Sequence, residues 1–267
     1  MSLLSPKQRA QSIGVAFSGG GARGFAHAGA LKALEELGIK PSIVAGVSAG
    51  AVIAALYSAG VKPEAMIDVF AEVKFSTSCE LALRGGGLFK IDRFIKFLET
   101  QLRGFKNIED LPIPTHICAT DFDNDRPVVF TKGKIAQRVG ASCSIPILFK
   151  PMMIDGVNYV DGGVLRNLPA WAIREHCDKL IGINCSPMGD QEPHVGSIID
   201  VAQHAYNLMS KQNVKVDAAM CDLVVETRDI AHYRVFNMKE INKVYSSGYA
   251  AMMQAARSTD WLPDPQQ

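Results

Sequence analysis

Ser48 lies in the middle of a pentapeptide, Gly46-Val47-Ser48-Ala49-Gly50, that suits a reactive serine. A short apolar run (42–45) precedes the pentapeptide, and a run of small, helix-forming residues (51–57) follows it. A serine on a sharp turn from strand to helix needs flanking glycines, and its hydroxyl then stands above the sheet. The helix directs N–H groups at the point where negative charge develops when serine attacks an acyl carbonyl. The pattern predicts a nucleophile elbow, with an ordinary glycine-rich turn as the alternative.

A second glycine cluster, Ser18-Gly19-Gly20-Gly21-Ala22-Arg23-Gly24, lies between a predicted strand (13–17) and a predicted helix (25–37). Consecutive glycines let several backbone N–H groups point one way, toward a phosphate or an oxyanion. A dinucleotide site would need an acidic residue about 20 residues further on, at the end of the next strand, where the Ser48 pentapeptide lies instead. A P-loop would need Gly-Lys-Ser/Thr, which is absent here. We therefore predict an oxyanion hole, with a cofactor loop or a plain tight turn as alternatives.

A nucleophilic serine needs a base, and the histidines do not supply a convincing one. They occupy helical, strand-like or loop contexts in which a packed or solvated imidazole is the more common outcome. The six are His27, His116, His176, His194, His204 and His232. Asp161 is the better candidate, because it ends a short strand (159–161) and two glycines follow it. The sharp turn leaves its carboxylate at a sheet edge, and the alternative is that it only caps a β-turn.

Taken in order, Gly19 to Gly24, Gly46 to Gly50 and Asp161-Gly162-Gly163 resemble the three blocks of the patatin-like phospholipases. Two further stretches, 141–151 and Asn167-Leu168-Pro169, also look like segments of that family. The resemblance spans about residues 12–185 and is closest to short bacterial members similar to the esterase domain of neuropathy target esterase. Several ordered blocks are far more specific than any one motif.

The resemblance implies a Ser-Asp dyad without histidine, in which Ser48 is the nucleophile and Asp161 its base. It also implies that the backbone of Gly19, Gly20, Gly21, Ala22 and Arg23 forms the oxyanion hole. The implied chemistry is acyl-ester hydrolysis through an acyl-enzyme. Burial that raises the pKa of Asp161 would help it to accept the serine proton. For Arg23, the two alternatives are an ion pair that holds the glycine loop and contact with a lipid phosphate.

The order of elements predicts an α/β fold with three layers, α/β/α, around a mainly parallel sheet, and an active site at the strand ends. We expect one domain over residues 1–267. The predicted strands include a hairpin (115–120 with 127–131) and two further strands (179–184 and 222–226). The predicted helices include 91–102 and 170–176, besides 197–219 and 239–256 near the C-terminus, where Leu208-Met209 and Met252-Met253 are expected to fill the core.

Residues 73–101 contain apolar side chains around Gly85-Gly86-Gly87 with basic neighbours. They suit a mobile flap that holds an acyl chain and touches a membrane surface transiently, or else a flexible connector into an amphipathic helix. Leu88 and Phe89 from this segment, together with Pro146, are the candidate substrate contacts.

Two other patterns suggest a membrane span and a calcium site, but neither interpretation is favoured. The stretch between Lys40 and Lys62 carries no charge, but its proline, glycines and serine favour strand, elbow and buried helix over a membrane span. The run 121–125 resembles a calcium loop, yet Arg126 and Lys132 replace the glycine and glutamate that an EF-hand requires. A polar hairpin turn is the expectation there, and no metal or cofactor is predicted.

Composition agrees with an enzyme of this type. The chain has 267 residues, 48% hydrophobic and 21% charged, with a net charge of +1. That charge gives no general attraction to nucleic acid or to an anionic membrane. Six cysteines without a C-x-x-C pair, and an N-terminus without an apolar signal segment, predict a reduced, cytoplasmic protein.

The hypothesis is a serine acyl hydrolase that acts on phospholipid, lysophospholipid or simpler carboxylic esters. Two alternatives are kept: a histidine-assisted esterase or acyltransferase, and a lipid-binding or regulatory protein with little turnover.

Overall fold

The computed structural model describes residues 11–71, 80–81, 87–187, 196–230 and 240–264. Within these ranges the α-helices are α1 Phe25–Glu36, α2 Ala49–Ser58, α3 Ala65–Ala71, α4 Asp92–Gln101, α5 Ile135–Ser142, α6 Ile198–Ala218 and α7 Ile241–Ala256. The strands are β1 Ile13–Phe17, β2 Ile43–Val47, β3 Glu80–Leu81, β4 Gly87–Lys90, β5 Thr115–Asp121, β6 Arg126–Phe130, β7 Ile147–Phe149, β8 Met152–Ile154, β9 Val157–Asp161, β10 Lys179–Asn184 and β11 Leu223–Glu226.

Eight of these strands form one twisted sheet in the order β11-β10-β1-β2-β5-β9-β8, with β6 also paired to β5. The five strands from β11 to β5 are parallel. β6, β8 and β9 join them in antiparallel pairs. β3, β4 and β7 form a separate small sheet. The predicted hairpin, the two strands near 179–184 and 222–226, and the mainly parallel sheet are confirmed.

Alternate side chains of the central strands pack on opposite faces of the large sheet, as the period of two in a strand requires. Val15 and Phe17 belong to a core cluster that includes residues of α1, α2 and α7. Ala16 and Val47 belong to a second cluster, which includes Val214 of α6. Both faces are therefore covered, and the predicted three-layer α/β/α architecture is confirmed.

The sheet register decides where the aspartate strand ends. Val47, the last residue of β2, pairs with Cys118, and β5 continues beyond that point. β9 runs antiparallel to this overhang, and Asp161 at its end pairs with Ala119. Asp161 is therefore near the turn that follows Val47. It reaches this position from an antiparallel strand, whereas the sequence predicted a site at the ends of parallel strands.

Two local expectations are wrong. The predicted helix 170–176 is instead two short 3-10 turns, Pro169–Ala172 and Arg174–His176, and Ile173 between them departs from helical dihedrals with φ −131° and ψ −1°. Leu208 and Met209 do not fill the core, since their side chains are 51% and 48% exposed on α6. The predicted helix 91–102 corresponds to α4, and Met252 is buried as expected.

The uncharged stretch 40–62 forms β2, the following turn and α2, as predicted. In the part of the chain that the structure describes, every helix is too short or too polar to cross a bilayer. The run 121–125 turns between β5 and β6, and the Asp121 carboxylate accepts hydrogen bonds from Asn124 and Arg126. The expected hairpin turn is therefore confirmed.

Candidate active site

The turn between β2 and α2 holds Ser48 in a conformation that few residues adopt. Its φ of 53° and ψ of −121° lie outside the regions that L-residues prefer. A Cβ on Gly46 would collide with the backbone of Gly50, and one on Gly50 would come within 2.7 Å of the Ser18 carbonyl oxygen. The glycines on either side of the serine are therefore required by close backbone packing, as a nucleophile elbow demands.

The side chain of Ser142 holds this turn in place. Its hydroxyl accepts a hydrogen bond of 2.8 Å from the Ser48 N–H and donates one of 2.6 Å to the Cys118 carbonyl. All three residues are buried. Ser142 belongs to a segment whose sequence resembles the family, but the sequence did not identify this contact, which spans 94 residues of chain.

The glycine loop lies beside the elbow, and some of its amides are already engaged. The Gly19 N–H donates to the Asn167 carbonyl at 3.1 Å, and the Arg23 N–H donates to the Gly20 carbonyl at 3.3 Å. These two amides are not free to bind an oxyanion in this conformation, which narrows the predicted set of donors. The amides of Gly20, Gly21 and Ala22 donate to no residue among those described. They are the available donors at the start of the 3-10 turn.

Arg23 supports the loop from beneath. Its side chain is 2% exposed, and burial lowers its pKa. Nε donates to the Gly20 carbonyl at 3.4 Å, and Nη2 donates to the Ser186 hydroxyl at 3.1 Å. Within the described residues no carboxylate pairs with it, so hydrogen bonds replace the ion pair that was one of the two sequence-based alternatives.

Asp161 caps a turn with one carboxylate oxygen and leaves the other without a hydrogen bond from the described residues. Its side chain is fully buried, and Oδ1 accepts a hydrogen bond of 2.8 Å from the Gly163 N–H. That contact caps the short 3-10 turn Gly162–Val164. Oδ2 is buried and accepts no hydrogen bond from any described residue. One carboxylate oxygen therefore fixes the turn, and the other remains able to accept a proton.

Burial raises the pKa of Asp161 to about 6. The Gly163 amide and the hydroxyls of Ser48 and Tyr206 act against this rise by stabilising the anion. Both hydroxyls lower the pKa of Asp161, although neither of them forms a hydrogen bond with Oδ2 in the structure. Ser48 and Asp161 are thus neighbours, and the carboxylate has a pKa suited to proton transfer near neutral pH.

Helix α6 positions the aspartate turn from outside the blocks that the sequence highlighted. Asn213 accepts a hydrogen bond of 2.8 Å from the Asn167 N–H and donates one of 3.0 Å to the Gly163 carbonyl. The Tyr206 hydroxyl occupies the place that a Cβ on Gly163 would fill. Asp217, fully buried, pairs with Arg166. Nothing in the sequence near these α6 residues marks them as part of a site.

The hydrogen bonds found among the described residues connect no histidine to Ser48 or Asp161. His27 Nε2 lies 2.8 Å from the Ser18 carbonyl oxygen and 3.3 Å from Cys185 Sγ, beneath the glycine loop. His116 Nδ1 lies 3.0 Å from the Ala172 carbonyl oxygen and packs against the His176 ring. His204 lies on α6, whereas His194 and His232 fall outside the described residues. His27 and His116 are engaged with backbone carbonyl oxygens remote in sequence from the Ser48 turn and the Asp161 turn.

The thiol of Cys143 lies close to Ser48 and Asp161. Burial raises its pKa well above the ordinary value, the charge of Asp161 raises it further, and the Ser48 hydroxyl acts in the opposite direction. A thiol with so high a pKa stays protonated at neutral pH and is a poor nucleophile. Ser48 therefore has no competing thiolate at this position. The other described cysteines are also free thiols.

A small cleft opens over Ser48. Its walls come from the glycine loop, the elbow and α6, and they include Gly19, Gly20, Gly21, Arg23, Ser48, Ile145, Asn167, Ser186, Tyr206, Asn207 and Ser210. Pro146 is half-buried next to Ile145 and does not line this cleft.

The segment expected to act as a flap is described only in part. Residues 72–79 and 82–86 fall outside the described ranges. Leu88 and Phe89 lie on β4, whose backbone pairs with β7 so that Phe89 is opposite Phe149. Since β7 follows Pro146 directly, the three candidate substrate contacts lie on neighbouring pieces of backbone.

Comparison with known proteins gives a family and a fold. A family model described as patatin-like phospholipase matches residues 15–173. An uncharacterized NTE family protein of Mycobacterium tuberculosis (strain ATCC 25618 / H37Rv) is 32% identical over 196 residues, 68% of this chain and 53% of that protein. Lysophospholipase nte1 of Aspergillus fumigatus is 29% identical over 199 residues, 69% of this chain and 12% of that protein.

The chain thus spans about half the length of the mycobacterial relative. Among solved structures, VipD from Legionella pneumophila matches with a TM-score of 0.63 at 16% identity. The match covers 94% of this chain and 67% of VipD. At that identity the likeness concerns the fold alone, and it agrees with the three-layer arrangement described above.

Proposed function

Because the chain belongs to the patatin-like phospholipase family, we propose that it is a lipid acyl hydrolase with Ser48 as nucleophile and Asp161 as general base. The reaction is hydrolysis of a carboxylic ester through an acyl-enzyme. The observation that carries this proposal is the pairing of a strained, buried serine with a carboxylate whose second oxygen has no described partner.

In the first half of the reaction, Ser48 Oγ forms a bond to the ester carbonyl carbon, and its proton moves to Asp161 Oδ2. The carbonyl oxygen becomes an oxyanion, which the amides of Gly20, Gly21 and Ala22 are available to stabilise. The tetrahedral intermediate then breaks its bond to the alcohol oxygen. That oxygen takes the proton from Asp161 and leaves, and the acyl group stays on Ser48.

In the second half, a water molecule gives a proton to Asp161 and attacks the acyl carbon. The second tetrahedral intermediate releases Ser48 Oγ, which recovers the proton from Asp161. The products are a free carboxylic acid and the regenerated enzyme. Since the pKa of Asp161 is raised to about 6, the carboxylate is a stronger base than an exposed aspartate and remains ionised at neutral pH.

For the substrate, we propose a phospholipid, a lysophospholipid or a simpler lipid ester. The family description and the name of the fungal lysophospholipase favour a lipid over other esters. The residues around β4 and β7, with Leu88, Phe89 and Pro146, are proposed to contact the acyl chain. We further propose that the chain forms a single catalytic domain, since β1 and β11 belong to one continuous sheet.

The test is intact-mass analysis after treatment with a fluorophosphonate probe, which reacts readily only with an activated serine. We expect the wild type to gain one probe mass, whereas Ser48→Ala gains none and loses turnover of p-nitrophenyl esters. Alanine keeps the small volume that the turn requires, so circular dichroism should be unchanged.

Labelling of another serine in the Ser48→Ala variant would refute the proposed nucleophile. A wild type that takes up no probe, yet binds lipid, would favour the lipid-binding alternative. A labelled enzyme in which one histidine replacement destroys turnover, while Asp161→Asn retains it, would favour the histidine-assisted esterase.

A further inference from the structure

A buried cysteine and a buried histidine lie together beneath the glycine loop. Cys185 directly follows β10, His27 belongs to α1, and both side chains are fully buried. The Cys185 Sγ lies 3.3 Å from His27 Nε2. The same nitrogen is 2.8 Å from the Ser18 carbonyl oxygen, which can only accept a hydrogen bond, so Nε2 carries a hydrogen. Neither Cys185 nor His27 takes part in the proposed ester hydrolysis.

Arg23 adds a second cationic side chain near this thiol. It is 2% exposed, and its Nη1 has no hydrogen-bond partner among the described residues. Nδ1 of His27 is likewise buried without a described partner. Burial acts to raise the pKa of Cys185, but the charges of His27 and Arg23 and the hydrogen bonds from His27 and Ser18 outweigh it. The pKa of this thiol therefore lies below its ordinary value.

The other described cysteines differ in this respect. Burial raises the pKa of each of them, namely Cys118, Cys143, Cys177 and Cys221. Peroxides oxidise the thiolate form of cysteine, so the surroundings that favour a thiolate also favour oxidation. Among the described thiols, the surroundings of Cys185 favour this reaction most.

The sulfur of Cys185 packs against the wall of the active-site cleft. A Cβ on Gly20 would come within 2.4 Å of Sγ, so the sulfur is in contact with Gly20. The Gly19 carbonyl oxygen lies 3.6 Å from Sγ. Gly19, Gly20 and Ser186, the residue after Cys185, all line the cleft above Ser48. The sulfur therefore lies directly behind the wall that a small molecule in the cleft meets.

The contacts around Sγ couple its oxidation state to the glycine loop. Its neighbours include His27 Nε2, the Gly19 carbonyl oxygen and Gly20. An oxygen atom bonded to Sγ has to displace at least one of these neighbours, and the glycine loop supplies two of them. The amides of this loop are the proposed donors to the oxyanion, and donors that are moved out of position stabilise the transition state poorly.

We propose that Cys185 is a site of reversible oxidation by hydrogen peroxide, and that its sulfenic acid disables the oxyanion hole. The loss of turnover rests on the proposed function, whereas the oxidation itself does not. The thiolate sulfur attacks one peroxide oxygen, so that an S–O bond forms and the O–O bond breaks. The leaving hydroxide combines with the proton lost by the thiol and departs as water. Sulfur is thereby oxidised and the peroxide is reduced.

The experiment follows activity and cysteine chemistry in the same samples. Wild type, Cys185→Ser and Cys143→Ser are treated with hydrogen peroxide, and turnover of p-nitrophenyl butyrate is measured relative to each untreated protein. Dimedone, which reacts with sulfenic acids, is then added, and its adducts are located by peptide mass spectrometry. Cys143→Ser is the matched control, because Cys143 lies beside Ser48 and Asp161 but has a raised pKa.

We expect peroxide to inactivate the wild type and Cys143→Ser about tenfold or more faster than Cys185→Ser. A dimedone adduct on Cys185 should accompany the loss of turnover. Dithiothreitol added in place of dimedone should restore turnover, which separates a sulfenic acid from methionine sulfoxide and from higher oxidation of cysteine. The adduct is measured on the wild type, so it tests the proposal even where Cys185→Ser does not fold.

The proposal is wrong if folded Cys185→Ser is inactivated as fast as the wild type, or if peroxide leaves Cys185 of the wild type without an adduct. An adduct on Cys185 with unchanged turnover would equally overturn the link to the oxyanion hole. Failure of the proposed function is distinguishable, since Ser48→Ala should form the Cys185 adduct like the wild type although it turns over no ester.

Discussion

The backbone N–H of Ser48 donates a 2.8 Å hydrogen bond to the side-chain hydroxyl of Ser142. The same hydroxyl donates to the Cys118 carbonyl at 2.6 Å. One buried side chain at the end of α5 therefore fixes the strained turn of the proposed nucleophile to the neighbouring strand β5. Strain of this kind persists only where surrounding contacts hold it.

Ser142→Ala should reduce turnover of a soluble ester, because the turn loses its support and the buried Ser48 amide loses its acceptor. We expect a loss of about 1–3 kcal/mol in the free energy of unfolding. Turnover should fall by about tenfold or more, since small displacements of a nucleophile are costly. Kinetics and urea unfolding measure the two effects. Ser144→Ala is the matched control, because that buried hydroxyl donates only to the Gly140 carbonyl.

Asp161→Asn should lower turnover by orders of magnitude, about 10³-fold or more, since an amide cannot accept the serine proton. Single His→Gln changes at the six histidines should each leave most of the activity. Steady-state kinetics on the soluble ester makes the comparison. The dyad would be wrong if a histidine variant were the inactive one.

The same Asp161→Asn variant should be more stable than the wild type above pH 6. Burial raises the pKa of Asp161 from 3.8 to about 6, so the folded protein holds the proton more tightly than the unfolded chain does. The stability that the protonated Asp161 carboxyl contributes is fully present below pH 4 and is lost as the pH rises through 6. Ionisation thus costs about 3 kcal/mol at pH 8, which asparagine avoids.

Thermal unfolding of both proteins between pH 4 and pH 8 measures this difference. The two melting temperatures should converge toward pH 4 and separate above pH 6. Equal stability of the two proteins at pH 8 would show that the carboxylate is not held at a raised pKa. Asparagine can still accept the Gly163 hydrogen bond, so the cap is retained.

Tyr206→Phe should move the acidic limb of the pH–rate profile to higher pH. The Tyr206 hydroxyl acts to lower the pKa of Asp161, and its removal leaves burial less opposed. Because the base must be ionised to work, activity on the acidic side is then lost at a higher pH. Tyr249→Phe is the control, since that hydroxyl donates to Glu36 on the surface. An unchanged limb in Tyr206→Phe would remove Tyr206 from the positioning of the base.

Gly21→Ala should reduce turnover far more than Gly38→Ala. Both glycines have a positive φ, 59° and 72°, so each substitution costs about 1–2 kcal/mol of backbone strain. Only Gly21 contributes an amide to the proposed oxyanion hole. A loss of about 10²-fold in kcat is expected there, and little change at Gly38. Equal kcat values in the two variants would mean that Gly21 serves only the turn.

Features that depend on the local backbone conformation were predictable from the sequence. The glycines around Ser48 and in the loop before α1 lie in strand-to-helix turns, so they are visible as a motif. The atoms that a Cβ would meet at Gly20 and Gly50 belong to residues distant in the chain, Cys185 in one case and Phe17 in the other. Strand and helix periodicity likewise predicted the mainly parallel, three-layer sheet. Asp161 could be proposed as the base because a short strand and two glycines surround it.

The way in which these segments contact one another depends on the complete fold. The antiparallel direction of β9, the contact of Ser142 with Ser48, and the approach of Tyr206 and Asn213 to the aspartate turn all join residues far apart in the chain. Leu208 and Met209 were expected in the core because they are apolar, yet α6 turns them outward. Composition reports which side chains avoid water, but burial also depends on which helix face another element covers. The raised pKa of Asp161 also depends on the complete fold, because the desolvation that raises it depends on which residues bury the carboxylate.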